Sequence, residues 1–375
     1  LVARSFKYHR PRGIFTAGSE EPNALVTVIN EGTAEPNTRA TVVELFDGLE
    51  SSSQNHKGPL EFDFMRITDF MSPFLSAGFY YKTFMWPKSF WEKVYEPAIR
   101  SAAGLGKLEE KSDPSTYDKG FLHCDILVIG GGPAGLIAAR EAAINGLEVI
   151  LCDEDFVFGG RLNSDEENID LFSGIDWINK NLLELSTLKN VRLMLRTTVY
   201  GAFDHGIFGA LERKTDHLPS SEGKPRQILW KIYSKRSILC AGAIERSISF
   251  GNNDRPGILL SSALRSYVSR WAIQPGNRIA IFTNNNDGWK TARLLKQKGC
   301  NIIAVVDPRK NSAEQLEGVP TFKGQAIVTT KGLNSIKAIQ LCDGTKIKVD
   351  CLGVSGGWNP NLHLTCHQRG QPKWN

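Results

Sequence analysis

What this sequence lacks narrows its function before any motif is read. Its seven cysteines (Cys124, Cys152, Cys240, Cys300, Cys342, Cys351 and Cys366) include no C-x-x-C pair and no paired metal spacing, which argues against a zinc site or a disulfide scaffold. Several fall in apolar, strand-like runs, where cysteine serves as a small buried hydrophobe, and a reducing, cytoplasmic compartment is expected. The seven histidines show no ligand spacing; His363 and His367 stand four apart in "HLTCH" without carboxylate company. No hydroxyl or thiol stands beside an adjacent base, so no catalytic residue and no metal is assigned. No apolar run reaches the roughly 18 to 20 residues that a membrane span needs, and no signal peptide opens the chain. The net charge of +5 is spread along the sequence, which excludes the concentrated basic face of a nucleic-acid binder. The chain opens at Leu1 without methionine and stops at "GQPKWN" with no element completed, so it reads as a piece of something longer.

What is present is the composition of an ordinary globular protein, 375 residues with 41% hydrophobic and 23% charged, enough for two or three domains; the motifs below make it an α/β fold. Residues 1–45 form a charge-dense opening, with Arg4, Lys7, His9, Arg10 and Arg12 close together and "ALVTVI" reading as a strand. Residues 46–120 are a connector dense in aromatic rings without helical or strand period, as in "MSPFLSAGFYYKTFMWPKSFWEKVYEP". Such a composition suits an extended arm laid on another surface, its own chain's or a partner's. Within it "EPAIRSAAGLGKLEEK" reads as a short helix stopped by glycine.

The strongest motif is "CDILVIGGGPAGLIAAREAAINGLEVILCDED", a strand, a glycine-rich turn, a helix and a second strand ending in acid. Gly130, Gly132 and Gly135 give G-x-G-x-x-G: the first permits the tight turn, the second lets a pyrophosphate approach the backbone, the third allows close helix–strand packing. The helix that follows aims its N–H groups and positive dipole end at the phosphates. Asp153, with Glu154 next, stands where an acid accepts hydrogen bonds from ribose hydroxyls and repels a 2′-phosphate, which favours NAD or FAD over NADP.

Four further signals fit an architecture of two dinucleotide-binding domains. "FGGRL" offers a Gly-Gly pair and Arg161 to the pyrophosphate; "MLRTTVYGAF" reads as a strand in which Val199 offers backbone groups to the adenine. "RSILCAGAIERS" is an apolar strand leaving the first domain, and "DCLGVSGGWNPN" reads as the strand returning to it, with Ser355 and Gly357 near the phosphates. The dinucleotide-binding domain is therefore expected over 121–255 and 350–375, with a second Rossmann-like domain inserted over 256–349. That second unit is degenerate: Thr283, Asn285 and Gly288 stand where glycines belong in "FTNNNDGW". Asparagine tolerates the turn, but its side chain stands where a pyrophosphate would press, so one bound dinucleotide is expected, not two. No C-x4-C pair follows the first helix, which argues against a disulfide reductase.

At "RSFKYHRPRGIFTAGSEEPNALV", "SPFLSAGFYYKTFMWP", "DHGIFGALER", "NDRPGILLSSALRSY", "NNDGWKTA" and "GGWNPNLHLTCHQRG" the chain resembles the α subunit of heterotetrameric sarcosine oxidases. The resemblance runs from end to end; α subunits of opine oxidases, hydrogen cyanide synthases and amino-acid dehydrogenases share the general plan. It implies a two-dinucleotide-binding-domain, flavoprotein-like fold, with residues 1–45 as part of an N-terminal ferredoxin-like domain. It implies oxidation of sarcosine to glycine with oxygen reduced to peroxide and the one-carbon unit passed to tetrahydrofolate as the 5,10-methylene form. By the same resemblance the chain carries NAD+, FAD resides in a β subunit, FMN sits at the α–β interface, and γ and δ subunits complete the assembly. A folate-binding half would follow Asn375. The ferredoxin-like segment has no cysteine and so cannot ligate an iron–sulfur cluster. The implied NAD+ contacts are Gly130, Gly132, Ala134, Gly135, Asp153, Glu154, Arg161, Val199, Ser355 and Gly357. The cluster around Arg10 and Arg12 is expected to meet the interface flavin or the β subunit. An independent FAD-dependent reductase using both Rossmann units is the competing reading.

Overall fold

Continuous apolar runs take the centres of the sheets in the structure, a computed structural model that describes residues 12–373 except 31–32, 55–57, 60–63, 65–77, 79–83, 85, 104–105 and 107. The strand Tyr117–Ile129 changes character along its length. Its first half is largely exposed, whereas Leu127, Val128 and Ile129 are buried, as a central strand covered on both faces requires. It pairs in parallel with Val149–Cys152 on one side and Gln227–Leu239 on the other; Val191–Met194 extends the parallel edge. Ile207–Arg213 and Thr197–Ala202 complete the six-stranded sheet as an antiparallel edge. The helices Pro133–Ile144 and Gly174–Thr187 bury Leu136, Ala139, Ala143, Trp177, Ile178 and Leu185 against Val128 and Leu151.

The strand expected in "MLRTTVYGAF" is Thr197–Ala202; Met194 at the head of the run ends the preceding strand, Val191–Met194, the left-handed Arg196 (φ 52°) lies between them, and the two strands take opposite edges of the sheet.

The second sheet is five-stranded and wholly parallel, in the order Ile258–Leu260, Cys351–Ser355, Ile279–Thr283, Ile302–Asp307, Thr321–Lys323. A three-stranded antiparallel sheet, Ile327–Lys331, Ala338–Leu341 and Lys346–Lys348, covers one face through Ile327, Ile339 and Leu341. This corrects the expected boundary at residue 350. The strand Cys351–Ser355 is fully buried between two strands of the second domain. The chain returns to the first domain only at Trp358–Pro360, which pairs with Ala243–Glu245.

The N-terminal segment forms its own antiparallel sheet, Leu25–Asn30 between Thr33–Arg39 and Glu50–Ser53, and so extends beyond residue 45. An ion pair and a hydrogen bond bolt it to the first domain: Arg196 grips Glu44 through Nε and Nη2 at 2.6 and 2.7 Å, and Arg213 donates to the Val42 carbonyl at 2.8 Å. Arg12, expected at an interface flavin, pairs with Asp254 at 3.2 Å; Arg4, Lys7, His9 and Arg10 lie outside the described residues. The short helix of the connector is present as Glu96–Ala103, and Trp86, Phe90 and Trp91 before it are exposed. Most of the connector's other rings lie outside the described residues. All seven thiols are free, and Cys124, Cys152, Cys300 and Cys351 are buried. Among the described residues no helix is long and apolar enough to cross a membrane, and no group of metal-ligating side chains converges.

Candidate dinucleotide site

The first strand–turn–helix meets each demand of its glycines. Gly130 adopts φ 101°, and a side chain there would stand 2.3 Å from the Cys240 carbonyl oxygen, so only glycine makes this turn. A Cβ on Gly135 would lie 1.8 Å from the Gly130 oxygen, the close helix–strand approach that the motif requires. Gly132 differs: its backbone is ordinary (φ −69°, ψ −176°) and nothing lies within 4 Å of an added Cβ. It stands as N-cap of the helix Pro133–Ile144, and no side chain caps that end. The helix start therefore faces open space with its N–H groups and dipole uncompensated by the protein. Ala134 at this end is exposed.

Three consecutive acids follow the strand Val149–Cys152, and each binds a different part of the chain. Asp153 accepts from the Gly131 and Asp155 N–H groups at 2.5 and 2.8 Å. Burial pushes its carboxyl up to about 6, against those two donors, which pull it down. Glu154 accepts from the Ser19 hydroxyl of the N-terminal segment at 2.6 Å. Asp155 is gripped by Arg270 of the second domain at 2.7 and 2.9 Å.

The "FGG" turn lies on the fingerprint loop. Gly159 donates to the Gly131 carbonyl at 2.8 Å, and a Cβ on Gly160 would lie 3.1 Å from the Gly132 Cα. Arg161 is engaged elsewhere: it pairs with Asp165 at 2.9 Å, reaches Asp287 at 3.5 Å, and lies 3.8 Å over the Trp358 ring. It ties the two Rossmann domains together. Val199 is half-buried in the antiparallel edge strand, opposite Ala210. Ser355 belongs to the second turn, its peptide oxygen and hydroxyl both meeting Asn285 at 3.1 and 3.2 Å, which corrects its expected place at the first. Gly357, with φ 102°, accepts from the Arg246 N–H at 2.8 Å, close to the Trp358 that Arg161 covers.

The second strand–turn–helix is closed at the corresponding points. Asn285 caps the helix Asn286–Gln297 with its own side chain, accepting from the Asp287 and Gly288 N–H groups at 2.9 and 3.2 Å. Asp287 in that first turn is held by the buried Arg265 at 2.8 and 3.0 Å and by the Trp358 indole at 3.1 Å. The acid ending the next strand, Asp307, is fully buried and bonded by Trp289 at 2.8 Å and by Arg309. Helix start, phosphate slot and ribose acid are all satisfied from within. The sequence showed the asparagines but not Arg265, Asp287 or Asp307: Asp287 is held from 22 and 71 residues away by Arg265 and Trp358, and Asp307 by Trp289, 18 residues before it, and by the neighbouring Arg309. The helix start behind Gly132 is open, whereas the one behind Asn285 is closed by its own side chain.

A family model of FAD dependent oxidoreductases matches residues 125–171, and a model of 2Fe-2S iron-sulfur cluster binding domains matches residues 1–56. The latter segment contains no cysteine and supplies no thiolate for such a cluster. The chain is 48% identical over its whole length to the sarcosine oxidase α subunit of Rhizobium meliloti (strain 1021), of which it covers 38%. It is 34% identical over 97% of its length to the corresponding α subunit of Corynebacterium sp. (strain U-96), of which it covers 35%. A more distant relative, one of the opine oxidase subunits of Agrobacterium tumefaciens (strain Ach5), is 27% identical over 49% of the chain. The chain thus spans less than two fifths of the sarcosine oxidase subunits it matches. Among solved structures, L-proline dehydrogenase from P. horikoshii superposes with a TM-score of 0.62 at 19% identity, covering 98% of this chain and 56% of that one. That likeness extends the shared fold, two Rossmann-like domains and the N-terminal sheet, across the described chain.

Proposed function

We propose that this chain, which belongs to the sarcosine oxidase α-subunit family, binds one NAD+ in its first Rossmann domain and serves as the scaffold of a multi-subunit sarcosine oxidase. The carrying observation is the contrast between the two units: the helix start behind Gly132 is uncapped and open, whereas the one behind Asn285 is plugged by its own side chain. N–H groups of Gly132, Ala134 and Gly135 would bind the pyrophosphate, Gly130 setting the turn. Asp153 would accept from the ribose hydroxyls, with Glu154 adding charge against a 2′-phosphate, and Val199 would flank the adenine. Arg161 and Gly357 would shape the far end of the groove through the Trp358 contact.

The reaction we assign to the full assembly is oxidative demethylation of sarcosine to glycine, with oxygen reduced to hydrogen peroxide and the one-carbon unit captured by tetrahydrofolate in a domain beyond this stretch. FAD on a β subunit supplies the two-electron acceptor, with FMN at the α–β interface; γ and δ subunits complete a cytoplasmic heterotetramer. This chain contributes no catalytic side chain to that step. Support comes from the end-to-end identity with sarcosine oxidase α subunits. The match of residues 125–171 to FAD dependent oxidoreductases favours a second reading, FAD in the same cradle, and the opine oxidase relative keeps another secondary amine as the alternative substrate. Nucleotide released from the purified full-length complex and weighed by mass spectrometry decides the first point. NAD+ in a one-to-one ratio with this chain is expected, and FAD in that ratio with no NAD+ would replace it. Peroxide production dependent on sarcosine, compared with opines, decides the second.

A further inference from the structure

Plant-type 2Fe-2S domains ligate their cluster through C-x4-C-x2-C followed by a distant cysteine. In the segment that matches a 2Fe-2S family model, the same spacing falls on Thr16, Glu21 and Ala24, immediately before the strand Leu25–Asn30. All three are buried, at 3%, 2% and 1% exposure. A buried glutamate is expensive unless its oxygens are well bonded, and here they are. One oxygen accepts from the Phe15 and Thr16 N–H groups at 2.8 and 2.5 Å and from the Thr16 hydroxyl at 3.1 Å. The other accepts from the Asn23 N–H at 2.8 Å. Successive backbone N–H groups converging on an anion are the kind of concavity that surrounds iron–sulfur clusters.

We infer that this segment is a cluster-free ferredoxin domain whose loop is wrapped around the Glu21 carboxylate as it would otherwise be wrapped around an anionic cluster, and that it works as a clamp between the two Rossmann domains and not as an electron carrier. The loop so organised reaches both domains. The Phe15 carbonyl accepts from the Leu260 N–H at 2.8 Å and the Thr16 carbonyl from the Tyr267 hydroxyl at 3.2 Å, both in the second domain. Phe15 and Ala17 pack on that domain's core. On the other side Ser19 donates to Glu154 of the first domain, and Thr41 fastens the Gly18 carbonyl at 2.6 Å. With the Glu21 carboxylate at its centre and no thiolate to ligate iron, the loop does not carry electrons between cofactors of the assembly.

Hydrogen exchange followed by mass spectrometry on the full complex tests this. Glu21→Gln keeps the size and removes the charge; peptides covering Phe15 to Asn23 and the Leu260 amide should exchange at least tenfold faster, with Glu21→Asp recovering part of the protection. Exchange within twofold of the parent would overturn the inference. If Glu21→Gln fails to assemble, Thr16→Val removes one donor only; a smaller acceleration confined to the same peptides is expected, and none would count against the role of the carboxylate. Iron and acid-labile sulfide in the parent complex that disappear with Glu21→Ala would overturn it outright.

Discussion

At Gly132 the backbone suits any residue and the space beyond it is open, so a methyl group there tests the ligand and spares the fold. Gly132→Ala should leave denaturation midpoints unchanged while lowering nucleotide affinity about tenfold or more, read by calorimetric titration; equal affinity would place the pyrophosphate elsewhere. Gly135→Ala is the opposite case, because its methyl meets the Gly130 carbonyl oxygen, and overpacking of this kind costs about 1–3 kcal/mol. Asp153 supplies a pH dependence. Burial raises its carboxyl to about 6, above the roughly 3.9 of an unfolded chain. The native state therefore gains a proton as pH falls through 6, which the unfolded chain does only near 4, so acidification across that window relieves a destabilising term. The same protonation removes the anion offered to ribose hydroxyls. Nucleotide affinity should fall from pH 7.5 to pH 5, and Asp153→Asn should flatten that slope.

Turns and strands were legible where a local conformational demand selects a residue type. Gly130 at φ 101°, the side-chain-capped "TNNNDG" turn and the strand in "ALVTVI" express such demands and are found where the sequence placed them. What was misread depends on partners far along the chain. "CLGVS" is a short apolar strand that fits the centre of either sheet equally well; only its pairing with Ile258–Leu260 and Ile279–Thr283 assigns it to the second. The start of the strand in "MLRTTVYGAF" is set after Arg196, a left-handed residue that is not glycine, and gives no compositional sign. Arg161 sits beside a Gly-Gly pair, yet one of its partners, Asp287, is 126 residues away. That partner belongs to a buried network that fills the second phosphate slot. Burial of Asp287 would raise its carboxyl, but the bonds and charge of Arg265, with Arg161 and the Trp358 indole, hold it below the ordinary range. Its contribution is present above the unfolded carboxylate pKa and is lost as pH falls through the lower native one. Arg265→Met leaves the half-buried Asp287 with only Arg161 and the Trp358 indole as partners and should cost up to about 3 kcal/mol, the lower end for breaking a buried pair, measured by urea denaturation at pH 7. Adding Asp287→Asn should recover part of that loss, and strict additivity would show that the two do not interact.

The whole molecule converges on the tripeptide Asp153–Glu154–Asp155. Its first acid braces the fingerprint loop, its second holds the N-terminal segment through Ser19, and its third holds the second domain through Arg270. Three units that are also tied by Arg196–Glu44, Arg213–Val42 and Arg265–Asp165 thus meet along one short stretch of backbone. The dinucleotide proposed at Asp153 would order that stretch, and a ligand that binds only the native arrangement stabilises it by mass action, about 2.7 kcal/mol at a hundred times its Kd. The stabilisation should therefore be felt beyond the cradle. Adding NAD+ to nucleotide-stripped complex should slow hydrogen exchange at 130–136 and also at 15–23 and 266–270, and Asp155→Ala should abolish the effect at 266–270 while sparing the other two. NADP+ at equal concentration should protect far less, because its 2′-phosphate meets two carboxylates with no cation placed to receive it among the groups bonded to Asp153. Protection limited to 130–136, with 15–23 and 266–270 unmoved, would mean that the three units are joined by fixed packing alone and that the nucleotide plays no part in holding them together.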